Sequence, residues 1–259
     1  MIDTHTHLYL KEYFPDGGET AVRDALNAGV GRMILPAIDI ESVNPLLKLH
    51  SKFPENTWCA AGLHPTEVEK DWKDELNRII DGFDGIPLVA IGEIGVDLHW
   101  EKENLSLQMD AFGEQLDMAL QKGIPAIIHS RDAIDETLEI VGSFGNEMPK
   151  MVFHSFTYSP REAERILETA PDAYFGFNGV ITFKNAEEVR GSARVAGIDR
   201  IVAETDSPFL APVPHRGKTN CSAYLPEVIR GIGNTLGLSF EETVEATSRN
   251  AEILFPLKT

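Results

Sequence analysis

Seven residues of this 259-residue chain combine a type that holds divalent metal ions with a place at the end of a strand-like run: His5, His7, His64, Glu93, His129, His154 and Asp206. Imidazole nitrogens and carboxylate oxygens suit zinc, manganese and related ions. Five histidines and two carboxylates exceed what one tetrahedral ion needs, so the set predicts two ions sharing a bridging carboxylate. Two ions about 3.5–4 Å apart can activate a water and clamp both the attacking and leaving oxygens of a phosphoester. The opening "MIDTHTHLYL" carries the spacing argument: side chains alternate along a strand, so His5 and His7 point the same way.

Each residue also has an ordinary structural explanation. A lone strand histidine is more often a satisfied polar group than a ligand, and Asp206 before "SP" could cap a turn. Glu93 is flanked by apolar sequence, and a buried carboxylate without a partner costs several kcal/mol. Seven such coincidences, each at a strand end, make the metal reading the better one. Glu204, two residues before Asp206, points the same way and reads as a carboxylate that orients a histidine. His50 and His99 read as surface histidines.

The elements that must position these residues alternate between strand and helix patterns. "MIDTHTHL", "RMILPA", "TWCAAGLH", "LVAIGEIG", "PAIIHS", "KMVFHSF", "AYFGFNGVI" and "RIVAETDS" are eight strand candidates, each followed by a helical stretch. Several are continuously apolar, as parallel strands buried on both faces are. Eight βα units in about 250 residues predict a (β/α)8 TIM barrel, an α/β fold, as a single domain over residues 1–259. An open doubly wound sheet would carry a Gly-rich phosphate loop after its first strand, and none is present. In a barrel the C-terminal strand ends converge on one rim, so residues two hundred positions apart meet in one pocket.

Composition adds limits. With 23 Lys and Arg against 41 Asp and Glu, the net charge of −18 argues against a general polyanion-binding surface. No apolar run is long enough to span a bilayer, and no basic segment leads into an apolar stretch. Cys59 and Cys221 lack metal-type spacing and read as reduced thiols, Cys59 in a strand. The expectation is a cytoplasmic protein with no membrane contact and no obligate protein partner.

The elements "DTHTHL", "GLHP", "AIGEIGVD", "IIHSRDA", "FHSF", "ETDSPFLAP" and "HRGKTN" run in order from residue 3 to 220. In this combination the chain resembles the TatD family of metal-dependent deoxyribonucleases, within the amidohydrolase superfamily. The resemblance implies a (β/α)8 barrel that hydrolyses phosphodiester bonds of DNA with two divalent ions (Mg, Mn or Zn). It implies a first ion held by His5, His7, Glu93 and Asp206, and a second by Glu93, His129 and His154, with Glu93 bridging. Asp206 would also orient or deprotonate the attacking water, and His64 would reach a phosphate oxygen or the leaving group. Three departures from the family pattern are Ser155 for a common Cys, Cys221–Ser222 for Glu-Pro, and Leu98 for a common Tyr.

Phosphate contacts are expected from Arg131 and from His215, Arg216, Lys218 and Asn220 of "HRGKTN", beside His64. Together with two ions these would make a small electropositive mouth on an acidic body, suited to DNA ends or single strands. Salt dependence should then match only a few phosphates. No aromatic ladder suited to base stacking is visible in the sequence. The leading expectation is a deoxyribonuclease with exonuclease character. The competing one is a metal-dependent amidohydrolase or esterase acting on a carbonyl substrate such as an aminoacyl ester or lactone, and fold alone does not separate them. A third, a non-catalytic metal- or nucleotide-binding protein, leaves the complete ligand set unexplained.

Overall fold

A computed structural model describes residues 1–100 and 102–257. The strands are β1 (Ile2–Asp3), β2 (Arg32–Pro36), β3 (Thr57–Ala61), β4 (Leu88–Asp97), β5 (Ala126–Arg131), β6 (Met151–Phe153), β7 (Tyr174–Phe177) and β8 (Ile201–Ala203). Between them run α1 (Glu19–Asn27), α2 (Ile40–Lys52), α3 (Trp72–Gly82), α4 (Leu105–Lys122), α5 (Ile134–Ser143), α6 (Pro160–Thr169) and α7 (Glu187–Ala196). Two helices, α8 (Leu225–Leu236) and α9 (Phe240–Leu254), follow the last strand. The strands pair in parallel in sequence order, β1 through β8. The fold is the expected TIM barrel.

The ring closes where its ends meet. Thr4 N–H donates to Ala203 O at 3.1 Å, His7 N–H to Ser207 O at 2.8 Å, and Asp206 N–H to His5 O at 2.9 Å. Here the first strand is shorter than its sequence suggests. Regular pairing stops at Asp3, and beyond it Thr6 makes a single parallel bridge to Ser207, with His5 and His7 on either side. The buried Asp3 carboxylate accounts for the break: it accepts the Thr205 N–H and hydroxyl and the His5 N–H, standing in for ladder partners.

Two apolar layers follow from strand alternation. Met33, Leu35, Ile91, Ile94 and Val96 pack outwards with the helices. Ile34, Ala60, Ala90, Val152 and Val202 form a second cluster with Leu254 and Phe255 at the end of α9, which plugs the lower mouth. The barrel is therefore filled from below, and its upper end is left for polar groups. Among the described residues, no helix is long and apolar enough to cross a membrane.

Strand β4 matters most to that upper end. Its pairing with β5 slips between Ile91 and Ile94, so three steps along β4 match two along β5. The extra residue reverses the alternation: Ala90 faces in, but Ile94 and Val96 face out, which turns Glu93, Gly95 and Asp97 inwards. Glu93 is thus in mid-strand, not at the strand end the sequence suggested. Gly95 is required for the close approach: a Cβ there would lie 1.8 Å from the carbonyl oxygen of His129.

Candidate metal centre

Glu93 stands buried at the centre of the upper barrel, its two oxygens facing two groups of imidazoles. Oε1 lies 2.7 Å from His154 Nε2, 2.8 Å from His129 Nδ1 and 3.4 Å from His64 Nε2. Oε2 lies 3.2 Å from His5 Nε2 and 3.7 Å from His7 Nε2. Those two nitrogens are 3.0 Å apart, with Asp206 Oδ1 3.9 Å and 4.0 Å away. Donor atoms within 4.8 Å of one another form three sets: His5, His7 and Asp206; His5, Glu93 and His154; His64, Glu93 and His129. All seven residues singled out in the sequence therefore meet in one place.

Contacts on the far side of each ring fix which nitrogen faces the cluster. Tyr9 has one hydroxyl proton and gives it to Pro36 O at 2.6 Å, so it accepts from His7 Nδ1–H at 2.9 Å. That leaves His7 Nε2 a lone pair aimed at the cluster. His129 lies between two carboxylates: Asp97 Oδ2 accepts from Nε2–H at 2.9 Å, and Nδ1, 2.8 Å from Glu93 Oε1, is the nitrogen left to an ion. Glu204 Oε1, itself held by the Ser155 N–H, stands 3.4 Å behind His154 Nδ1 without a hydrogen bond to it, and His154 Nε2 faces Glu93. Gly176 makes room for this carboxylate, since a Cβ there would lie 2.2 Å from Glu204 Oε2. His64 is held from its far side by Thr66, with Nδ1 2.7 Å from the Thr66 hydroxyl and 3.2 Å from its N–H, and its Nε2 faces the site.

Lone pairs and carboxylate oxygens facing one another at these distances repel unless a cation or a proton lies between them. This donor set fits a divalent metal. The titration behaviour has the same origin. Burial, with His154 beside it, pushes His5 down to about 4, and burial with His5 beside it pushes His7 down to about 3. Burial opposes ionisation of Glu93, yet the imidazoles of His154, His64 and His5 and the bond to His129 hold it well below the usual range. Against its burial, His154 is raised well above the ordinary imidazole range by Glu93 and Glu204. Burial pushes Asp206 up to about 7, opposed by His154 and reinforced by Glu93 and Glu204.

Asp97 was not singled out in the sequence. Burial works against its charge, but the bond from His129 and the N–H groups of Trp100 and His99 hold it at about 2. The available signal was its spacing: four residues beyond Glu93 in a strand, it shares the inward face. Tyr9 was missed as well, two residues beyond His7 in the same alternation. His50 is half-buried, not a surface group, with Nδ1 3.0 Å from Thr57 Oγ1. His99 is exposed beside Asp132.

A cavity of about 800 Å³ opens above the cluster, walled by Leu10, Ile38, Val180, Trp100, Phe209 and Leu210 among others. Arg131 is the one lysine or arginine among the described residues that line it. The "HRGKTN" loop departs from expectation. Arg216 lies over the Phe183 ring at 3.7 Å, and His215 stacks on Tyr224 at 3.8 Å. These two and the exposed Lys218 stand outside the cavity wall. Asn220, expected at the substrate, is fully buried: its Nδ2 donates to Thr205 O and Phe209 O, and its Oδ1 accepts the Cys221 N–H. It ties the loop to the last strand and has no polar atom left for a ligand. Aromatic groups unseen in the sequence are also present: Trp100 and Phe209 stand exposed on the cavity wall.

The family model described as TatD related DNase matches residues 2–256. The metal-dependent hydrolase YabD of Bacillus subtilis, itself called uncharacterized, is 32% identical over 255 residues, 98% of each chain. YcfH of Escherichia coli K12, described in the same words, is 31% identical over 258 residues, 98% of this chain and 95% of its own. The crystal structure of YJJV, a TatD homologue from E. coli K12, superposes with a TM-score of 0.87 at 27% identity, covering 99% of this chain and 98% of its own. A TatD-family hydrolase from Entamoeba histolytica shares the fold, with a TM-score of 0.83 at 18% identity. With its barrel, its converging histidines and carboxylates, and a family match along nearly its whole length, this chain belongs to the TatD family of metal-dependent hydrolases.

Proposed function

We propose that this chain is a two-metal phosphodiesterase, a deoxyribonuclease acting on DNA ends or single strands. The observation that carries the reading is the division of Glu93, with one oxygen turned to His5 and His7 and the other to His129 and His154. One ion would be held by His5, His7, Asp206 and Glu93 Oε2, the other by His129, His154 and Glu93 Oε1. When bound, such a pair lowers the pKa of water and neutralises charge building on the phosphoryl oxygens.

The chain's own groups handle the protons. Asp206 is nine-tenths buried yet open to the cavity, and its carboxylate takes the proton of the attacking water. The water oxygen bonds to phosphorus as the bond to the leaving oxygen breaks. His64, its Nε2 turned into the cavity, reaches a phosphoryl or leaving oxygen. Asp97 and Tyr9 keep the proton on the far nitrogen of His129 and His7, and Glu204 places a negative charge 3.4 Å behind His154. The family description, TatD related DNase, supports DNA as the substrate.

The test is hydrolysis of single-stranded DNA oligomers labelled at the 5′ or the 3′ end, with EDTA or with added Mg²⁺ or Mn²⁺. Metal-dependent laddering is expected, and the labelled end reveals the polarity. Glu93→Gln should lower the rate by about two orders of magnitude or more while the circular dichroism spectrum is retained. Full activity in that variant overturns the mechanism. No cleavage by metal-loaded wild-type protein overturns the phosphodiester reading in favour of carbonyl esters such as aminoacyl esters.

A further inference from the structure

The cavity above the metal cluster has almost none of the phosphate-gripping cations that its proposed substrate would lead one to expect. Among the described residues Arg131 is the one lysine or arginine in its lining, on a chain of net charge −18. Instead two large aromatic side chains face solvent on its wall, Trp100 at 70% exposure and Phe209 at 46%. Aromatic rings left exposed at the mouth of a polar site are costly unless a ligand covers them.

Trp100 follows β4 and Phe209 follows β8, and those strands stand opposite each other in an eight-membered ring. The two rings therefore flank the metal cluster. Both are held in place. His99 packs edge-on to the Trp100 ring at 4.9 Å and 86°, and Tyr13 packs against Phe209 at 5.7 Å and 74°. Their backbones are anchored to the site itself: the Trp100 N–H donates to Asp97 Oδ1 at 3.1 Å, and the Phe209 N–H donates to Asp206 O at 2.9 Å. Asn220 also holds the Phe209 carbonyl. Rings fixed in advance lose little entropy on binding. The Arg131 guanidinium lies 5.6 Å from the centre of the Trp100 ring, where one cation can serve a phosphate next to a stacked base.

Resting on the phosphodiesterase reading, we propose that Trp100 and Phe209 are the specificity-determining residues of the site. Each stacks on one of the two unpaired bases that flank the scissile phosphate. The substrate recognised is thus a single-stranded dinucleotide unit at a chain end, gripped mainly through its base faces and through one phosphate at Arg131. Paired duplex is rejected because its base faces are already stacked and cannot reach either ring.

Stacking is tested without turnover. Trp58 and Trp72 are buried, so quenching of exposed tryptophan emission reports on Trp100. A dithymidine phosphorothioate, titrated into the protein in EDTA, should quench that emission saturably. The same backbone carrying abasic residues should not, and equal quenching by both overturns the proposal. In turnover with single-stranded oligomers, Trp100→Ala and Phe209→Ala should each raise KM by about 5- to 150-fold, with kcat within about threefold of wild type. Trp100→Phe should restore most of the loss. Both side chains are solvent-exposed, and unchanged thermal unfolding checks that the variants fold. If wild-type protein cleaves DNA and both alanine variants keep its KM, the stacking proposal is overturned and the nuclease reading stands. If wild-type protein cleaves no DNA, the nuclease reading falls and takes the stacking proposal with it.

Discussion

Replacing Asp97 by Asn alters the candidate centre without touching any of its direct donors. Asp97 Oδ1 accepts the N–H groups of His99 at 2.8 Å and Trp100 at 3.1 Å, while Oδ2 accepts from His129 Nε2 at 2.9 Å. In the Asn variant the two backbone donors keep the amide oxygen, so the NH₂ group must face His129. It can only donate, and His129 must then move its proton from Nε2 to Nδ1. That proton lands opposite Glu93 Oε1, where the ring nitrogen now lies at 2.8 Å, and removes the lone pair that would bind an ion. A hydrogen bond to a charged group is worth about 1.5–3 kcal/mol. This corresponds to about a 10- to 100-fold loss of metal affinity, the range usual for partners that orient a ligand. Calorimetric titration of metal-free protein with Mn²⁺ is the assay. The His129–His154 site should weaken by that factor, while the His5–His7–Asp206 site stays within about threefold. Equal weakening of both sites, or of neither, would refute the tautomer argument.

Two further outcomes follow from the loop after β8 and from Arg131 in the cavity wall. Asn220→Ala leaves the carbonyls of Thr205 and Phe209 and the N–H of Cys221 without the partner they now share. Stability should fall by about 1–3 kcal/mol, read as a Tm lowered by roughly 3–10 °C, and an unchanged Tm would return Asn220 to the surface. Binding of a single-stranded oligomer should lose about 0.7 from its salt slope in Arg131→Gln. Arg216→Gln, altered over the Phe183 ring and outside the cavity, should leave the slope as it is; the reverse pattern would make the "HRGKTN" loop the phosphate contact after all.

The barrel was legible because its cause is a one-dimensional pattern. Parallel strands buried on both faces must be continuously apolar, and runs such as "RMILPA" and "PAIIHS" could be little else in alternation with helices. The seven central residues were legible because one topological fact, convergence of strand ends, brings them together. What was missed depends on direction. Nothing in "HRGKTN" distinguishes an arginine aimed at a substrate from one laid across Phe183, nor does it reveal that Asn220 is spent on backbone groups. Trp100 and Phe209 are 109 positions apart and form no ladder in sequence, yet the ring sets them on one cavity. The slip in β4 was hidden too, because an extra residue in a strand leaves no compositional mark.

The seam of the ring runs through the candidate metal cluster. His5 and His7 come from the first strand region and Asp206 from the last, and backbone bonds between His5, His7, Asp206 and Ser207 close the barrel at that point. A chain emerging from the ribosome thus carries six of the seven cluster residues long before the seventh. Until Asp206 arrives and the seam zips, His5 and His7 lack one of their two acidic partners and the fixed spacing that points them at it. That half of the candidate cluster therefore takes its shape only in the final stage of folding.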